Sequence, residues 1–156
     1  MSQISYSGSD SEIQREIHDK IEALSRIADI AKQDNHINIL FEQFLDILIE
    51  MVNLDSGIVK ILDSRKTFFL KSETFHGISQ KFLEKSSGSP IGGCLCSLAM
   101  AQKNIAYTAD IARDRNTPCA LCKSEGFKFI ACIPIVCNNE AIGVIQLASN
   151  KIIKPN

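Results

Sequence analysis

Cysteine is the residue type here with the most chemical scope, and four of the six cysteines fall into two close pairs. Cys94-Leu95-Cys96 is a C-x-C and Cys119-Ala120-Leu121-Cys122 a C-x-x-C. Together they supply four thiolates, a soft donor set that suits Zn²⁺ or an iron–sulfur cluster. The C-x-x-C is comfortable on a helical turn, because residues three apart lie on one side of it. The C-x-C is harder, since residues two apart on a helix point about 200° from each other. Cys94 and Cys96 can therefore share a metal only from a loop or an irregular first turn, which Gly92-Gly93 just before them makes cheap. Both pairs sit at predicted helix starts, where free N–H groups and the helix dipole favour negative charge and lower thiol pKa values. Two other readings stay open for Cys94, Cys96, Cys119 and Cys122: reactive or redox thiols, and small buried hydrophobes.

The remaining candidates are weaker. Cys132 and Cys137 lie five apart on one predicted strand, so they point to opposite faces and read as core packing. Of the three histidines, His18 falls among charges on a helix, His36 at a helix break, and His76 before Gly77, where a turn residue is the simpler reading and ligation the alternative. Asp110, Asp114 and Glu125 could do acid–base work near the cysteines, although solvation at the surface explains them more simply. There is no His-Glu-x-x-His, Walker or nucleophile-elbow pattern, and Ile91-Gly92-Gly93 lacks the spacing of a dinucleotide loop.

These residues must be held by a scaffold that the apolar periodicity outlines. Residues 1–11 are Ser-rich and aperiodic and read as a disordered tail. Ile17, Ile21, Leu24, Ala28 and Ala31 then form a helical seam ending near Lys32, able to pack on a sheet or to pair with a second chain. A second helix from Ile37 to Val52 has a broad apolar face, as a buried helix does. At Asp55-Ser56-Gly57 the period changes to strands over 58–62 and 67–71, joined by a polar turn. A short helix over 78–85, a loop at Ser86 to Pro90, a helix from Cys94 to Ala101 and a short strand at 105–108 follow. Thr117-Pro118 signals a helix start, closed by Gly126. Two apolar runs, 127–137 and 141–148, join through Asn138-Asn139, whose tolerance of positive φ predicts an antiparallel hairpin. The order of elements is that of an α+β fold: a central antiparallel sheet with the N-terminal helices packed on one face.

Length and composition confine the rest. The 17.2 kDa chain is 45% apolar and 22% charged, the profile of one ordinary globular domain over 12–150. Seventeen Lys+Arg against eighteen Asp+Glu give a net charge of −1, with no drive toward nucleic acid or an anionic membrane. No apolar run is long enough to span a bilayer, and the N-terminus has no secretory pattern. A cytoplasmic location is expected, and its reducing conditions favour thiols and metal ligands over structural disulfides.

Several phrases, taken together, resemble the GAF domain. They are Phe75-His76-Gly77-Ile78-Ser79 with Phe82-Leu83-Glu84, Gly93-Cys94-Leu95-Cys96, Ala109-Asp110-Ile111, Cys122-Lys123-Ser124-Glu125-Gly126-Phe127, Ile133-Pro134-Ile135 and Ile142-Gly143-Val144-Ile145. The likeness spans about 20–149 and is nearest to bacterial kinase-associated GAF domains with a Cys-Leu-Cys phrase; their usual Gly after the second cysteine is Ser97 here. It implies a regulatory sensor of signal transduction that binds a small molecule, tetrapyrrole or cluster and passes the change to a histidine kinase or other output domain. Residues 151–156 then read as a tail or the start of an effector linker, in a stand-alone sensor or an excised piece. Three functions are expected in order: a redox or gas sensor with an iron–sulfur or zinc site on Cys94, Cys96, Cys119 and Cys122; a metal-free module that binds an organic ligand; and free methionine-(R)-sulfoxide reductase, whose fold is also GAF-like. The phrase around Cys119 lacks that enzyme's His- and Asp-containing pattern, so a non-enzymatic role ranks first. The N-terminal seam predicts a homodimer.

Overall fold

The computed structural model describes residues 9–31, 37–63, 70–86, 93–115 and 120–153, without the side chains of 9–10 and 28–31. Five strands form one antiparallel sheet in the order β2-β1-β5-β4-β3, where β1 is Ser56–Leu62, β2 Leu70–His76, β3 Ala106–Thr108, β4 Phe129–Cys137 and β5 Glu140–Ser149. The helices are α1 (Ser9–Ala31), α2 (Ile37–Val52), α3 (Gln80–Ser86), α4 (Leu95–Gln102) and α5 (Ala120–Glu125). The expected α+β architecture is therefore present. Among the described residues no helix is long and apolar enough to cross a membrane.

Strand alternation divides the sheet into two unlike faces. Val59, Ile145 and Leu147 point toward α2 and pack against its Leu45, Leu48 and Ile49. Gly57 permits close approach there, because a Cβ at that position would lie 2.8 Å from Leu45 Cδ1. Lys60, Cys132, Val144 and Gln146 point the other way, beneath α3, α4 and α5, where Phe82, Leu95, Cys96, Ala99, Met100 and Cys122 cover them. Register puts Cys132 of β4 opposite Gln146 of β5, and Gln146 opposite Ile58 of β1, so the three residues form one row across the central strands.

The elements differ from expectation mainly at their ends. α1 begins at Ser9, inside the stretch expected to be a tail; the acidic Glu12 in its first turn suits the positive end of the helix dipole. β2 continues through Thr74, Phe75 and His76, so His76 ends a strand rather than sitting in a turn. The turn itself comes at Gly77, whose φ is +62 and whose Cβ, if present, would lie 2.4 Å from the Asp55 carbonyl oxygen. Asn138 and Asn139 take φ values of 49 and 63, the paired positive angles of the expected β4–β5 hairpin. The polar turn at 64–66, the loop at 87–90 and the helix start at Thr117-Pro118 lie outside the described residues.

α1 packs on the outer side of α2 through Ala23, which the sequence pattern did not assign to the seam, and through an Arg26–Glu50 ion pair at 3.0 Å. The seam residues Ile17, Ile21 and Leu24 remain more than half exposed, as does Ile13 on the preceding turn. The side chains of Ala28 and Ala31 lie outside the described residues.

A buried lysine among thiols as candidate functional site

The most unusual feature of the interior is Lys60. It comes from the middle of β1, beside a register shift between Val59 and Lys60, and is 8% exposed. Its Nζ donates to Gln146 Oε1 at 3.2 Å and stands 5.7 Å from the centroid of the Phe82 ring, within cation–π range. An ammonium has three donors, and among the described residues no carboxylate lies within ion-pair distance of this one. Phe82 is itself fixed edge-on against Phe127, with the ring centroids 5.7 Å apart.

Around Lys60 stand four thiols. Cys96 Sγ donates to Gln146 Oε1 at 3.3 Å and lies 3.5 Å from Cys132 Sγ. Gln146 Nε2 donates to Cys122 Sγ at 3.6 Å. One glutamine amide thus links β1 through Lys60, α4 through Cys96 and α5 through Cys122. Cys94 sits half-buried at the N-cap of α4 with extended backbone and lies 3.1 Å from Ser97 Oγ. Gly93 before it has a φ of +63, the irregularity expected for a C-x-C whose two sulfurs approach each other.

Electrostatics depart from the sequence reading at the C-x-C. A hydrogen bond with Cys96, reinforced by burial, pushes the Cys94 thiol well above its ordinary range. Cys96 is pushed up to about 12, first by its hydrogen bond with Cys132 and then by burial, against an opposing hydrogen bond from Cys94. The expected lowering by a helix N-terminus is outweighed because these thiols hydrogen-bond to one another inside the core. For Lys60 burial works to lower the pKa, but the sulfurs, Cys96 foremost, together outweigh it and hold the ammonium above its ordinary value. At neutral pH the ammonium and the Cys94 and Cys96 thiols keep their protons, leaving a buried positive charge.

Of the four predicted ligands, Cys94, Cys96 and Cys122 converge on this cluster, and Cys119 lies outside the described residues. Cys132 was read from the sequence as core packing. It is fully buried, yet it also borders the site through Cys96. Cys137, on the same strand, is exposed. Two of the three carboxylates near the cysteines, Glu125 and Asp110, hold structure. Glu125 accepts from Ser79 N at 2.9 Å and Ser79 Oγ at 2.7 Å, tying α5 to the start of α3, and Asp110 accepts from Ala112 N at 3.1 Å. His76 Nδ1 is 3.0 Å from Asp46 Oδ1 of α2, an exposed pair remote from the thiols. Lys60 and Gln146 were missed altogether. The available signal was a lysine and a glutamine at positions of apolar strands where alternation demands a buried side chain.

Known proteins share this architecture. The profile of the GAF domain matches residues 36–155. No curated protein sequence matches the chain. Among solved structures, the GAF domain of a phosphoenolpyruvate-protein phosphotransferase from Coxiella burnetii aligns with a TM-score of 0.71 at 16% identity, over 87% of this chain and 80% of that one. A domain assigned to a two-component sensor histidine kinase from Sinorhizobium meliloti aligns at 0.61 and 14% identity, over 79% of each chain. Free methionine-R-sulfoxide reductase from Neisseria meningitidis, in complex with its substrate, aligns at 0.72 and 15% identity, over 100% of this chain and 85% of that one. At these identities the likenesses establish the fold, whereas the profile match establishes the family: this chain belongs to the GAF domain family.

Proposed function

We propose that the domain is a regulatory sensor of signal transduction whose sensing centre is the buried thiol set, with Cys94, Cys96, Cys119 and Cys122 holding Zn²⁺ or an iron–sulfur cluster. The observation that supports this reading is the Lys60 ammonium, buried among sulfurs without a carboxylate partner among the described residues. A metal held by four thiolates carries net negative charge, which such an ammonium would offset. The Nε2 donor that Gln146 directs at Cys122 Sγ is the kind of outer contact that steadies a metal-bound thiolate. The donor chemistry therefore fits a thiophilic ion. Among the described residues no three ligand side chains surround a common metal position, so the reading requires Cys119 and a closing of the sulfurs.

When bound, the ion or cluster would supply redox or oxygen sensitivity. The chain's own residues would bind it, exclude water and transmit its loss. Gln146 joins α4, α5 and the central strands, so a change at the sulfurs reaches the sheet on which α2 rests. The uncovered stripe of Ile13, Ile17, Ile21 and Leu24 on α1 supports a homodimer as the output-bearing form, coupled to a histidine kinase or other output domain. Anaerobic purification followed by analysis of iron, sulfide and zinc is the test. Near-stoichiometric metal is expected, and less than about a tenth of an equivalent of each overturns the reading.

The same buried cation favours a second reading, a metal-free module that takes an anionic organic ligand. It predicts a metal-free protein whose melting temperature rises with the cognate ligand. The likeness to free methionine-R-sulfoxide reductase, joined to the Cys96–Cys132 contact, keeps thiol-dependent reduction of that substrate as the enzymatic alternative. Turnover at the buffer blank with thioredoxin as reductant excludes it.

A further inference from the structure

We propose that Cys96 and Cys132 form a reversible dithiol–disulfide couple, oxidised by hydroperoxides by way of Cys94. The couple needs no metal and does not rest on the reading above; the two compete for Cys96. Three sulfurs form a path from the surface inward. Cys94 is half-buried at the N-cap of α4, two residues before Cys96, which lies 3.5 Å from the fully buried Cys132. A disulfide requires about 2.05 Å between sulfurs, so closing the inner pair demands about 1.5 Å of approach, within the reach of side-chain rotation in a first helical turn. Burial shields Cys96 and Cys132 from an oxidant in solution, which leaves Cys94 as the one of these three thiols that a small hydroperoxide meets.

The steps balance. The ionised fraction of Cys94 attacks the outer oxygen of ROOH, the O–O bond breaks, and Cys94 becomes a sulfenic acid while the departing alkoxide takes up the proton the thiol released, giving ROH. The Cys96 sulfur then displaces water from that sulfenic acid, forming a Cys94–Cys96 disulfide. Cys132 attacks Cys96, regenerating the Cys94 thiol and placing the disulfide between Cys96 and Cys132. In sum two thiols lose two electrons and two protons, and ROOH becomes ROH and water. Oxidation removes the S–H that Cys96 donates to Gln146 Oε1, the acceptor it shares with Lys60. The chemical change is thereby felt by β1 and β5, and α4 is locked to β4.

The test uses the purified chain with its zinc and iron content measured in the same sample. After treatment with stoichiometric hydrogen peroxide it is digested with trypsin without reductant. Cleavage at Lys103, Lys123 and Lys128 puts Cys94 and Cys96, Cys122, and Cys132 on separate peptides. The expected product is a link between the first and last of these, two hydrogens lighter than the thiols, reversed by dithiothreitol, with fragmentation placing it on Cys132 rather than Cys137. Cys94→Ser is expected to form the same link at least about tenfold more slowly, because the buried pair loses its accessible partner. Sulfinic acid at Cys94 without a cross-link, a link confined to Cys119 and Cys122 or one through Cys137, or protection of the thiols by bound metal, overturns the couple. An unchanged rate in Cys94→Ser overturns the route.

Discussion

The two faces of the sheet are built from the same five strands but solve different problems. On the α2 face, Leu45, Leu48, Ile49, Val59, Ile145 and Leu147 exclude water and present no polar side chain to one another. On the opposite face a lysine, a glutamine and four cysteines sit among Phe82, Leu95, Met100 and Val144. Hydrophobic packing stabilises the first by area alone. The second buries an ammonium that one amide, one aromatic ring and the surrounding sulfurs must hold charged away from water. A fold that needed only stability would place Met at Lys60 and Leu at Gln146. The asymmetry teaches that α2 supports the sheet and that the buried lysine, glutamine and thiols gather on the face beneath α4 and α5.

If that division is right, cutting into the apolar face lowers stability without touching the thiols. Leu45 is 1% exposed and lies over Gly57. Leu45→Ala should cost about 4 kcal/mol, since the backbone around Gly57 cannot collapse into the void. Chemical denaturation measures the loss, and the rate at which Cys94 is alkylated in the folded protein should stay at the wild-type value. A simultaneous rise in that rate would show that the faces are not independent.

The polar face breaks differently. Gln146→Leu removes the acceptor of both Lys60 and Cys96 and should cost about 2 kcal/mol, because a charged donor is left buried and unpaired. Adding Lys60→Met to it should recover at least half of that loss, as apolar replacements of buried charge do. Urea midpoints of the two single variants and the double variant close the cycle. Additive losses in that cycle would mean that Lys60 and Gln146 do not act on one another.

How much of this was legible in the sequence follows from the same contrast. The α2 face was readable because apolar periodicity reports burial directly: the apolar face read from Ile37 through Val52 lies on α2, and Asn138-Asn139 marked the hairpin by their tolerance of positive φ. The C-x-C irregularity was readable from Gly93. Lys60 was overlooked although Ile58 and Leu62 flank it on one strand face, because a charged side chain defaults to solvent until a buried partner such as Gln146, 86 residues away, is known. The cover that turns the position inward includes Phe82 of α3, far off in sequence. The thiol pKa values at the C-x-C were misjudged for a related reason. A helix-dipole argument sees the local chain, whereas the partner that raises Cys96, Cys132, lies 36 residues away.

Alkaline pH sharpens the contrast at a smaller amplitude. Cys96 has a folded pKa of about 12 against an ordinary 9.0, so between those values the native state binds a proton that the unfolded chain has lost. Unfolding then becomes easier as pH rises, by about 1.4 kcal/mol per pH unit for each such group across its window. Lys60, also raised, acts in the same direction: its contribution is complete below the unfolded value and fades as pH climbs through the folded one. The midpoint in urea should therefore fall from pH 9 upward. It should fall less steeply in Cys96→Ser, where one of the raised groups is gone.

The smallest effect is expected where the two cysteines of β4 are compared. Cys132 and Cys137 are five residues apart on one strand, the first fully buried beside Cys96 and the second exposed next to the hairpin. Cys137→Ser should change stability by less than about 0.5 kcal/mol, because no apolar burial is lost and water satisfies the new hydroxyl. It should remove the one of the described thiols that an alkylating reagent labels most rapidly. Cys132→Ser puts a hydroxyl where a sulfur faced Cys96 and should cost about 1 kcal/mol or more, with no loss of rapid labelling. Equal costs at the two positions would mean that the burial separating the two sulfurs carries no energetic weight, and the distinction between a packed face and a chemical one would have to be drawn elsewhere.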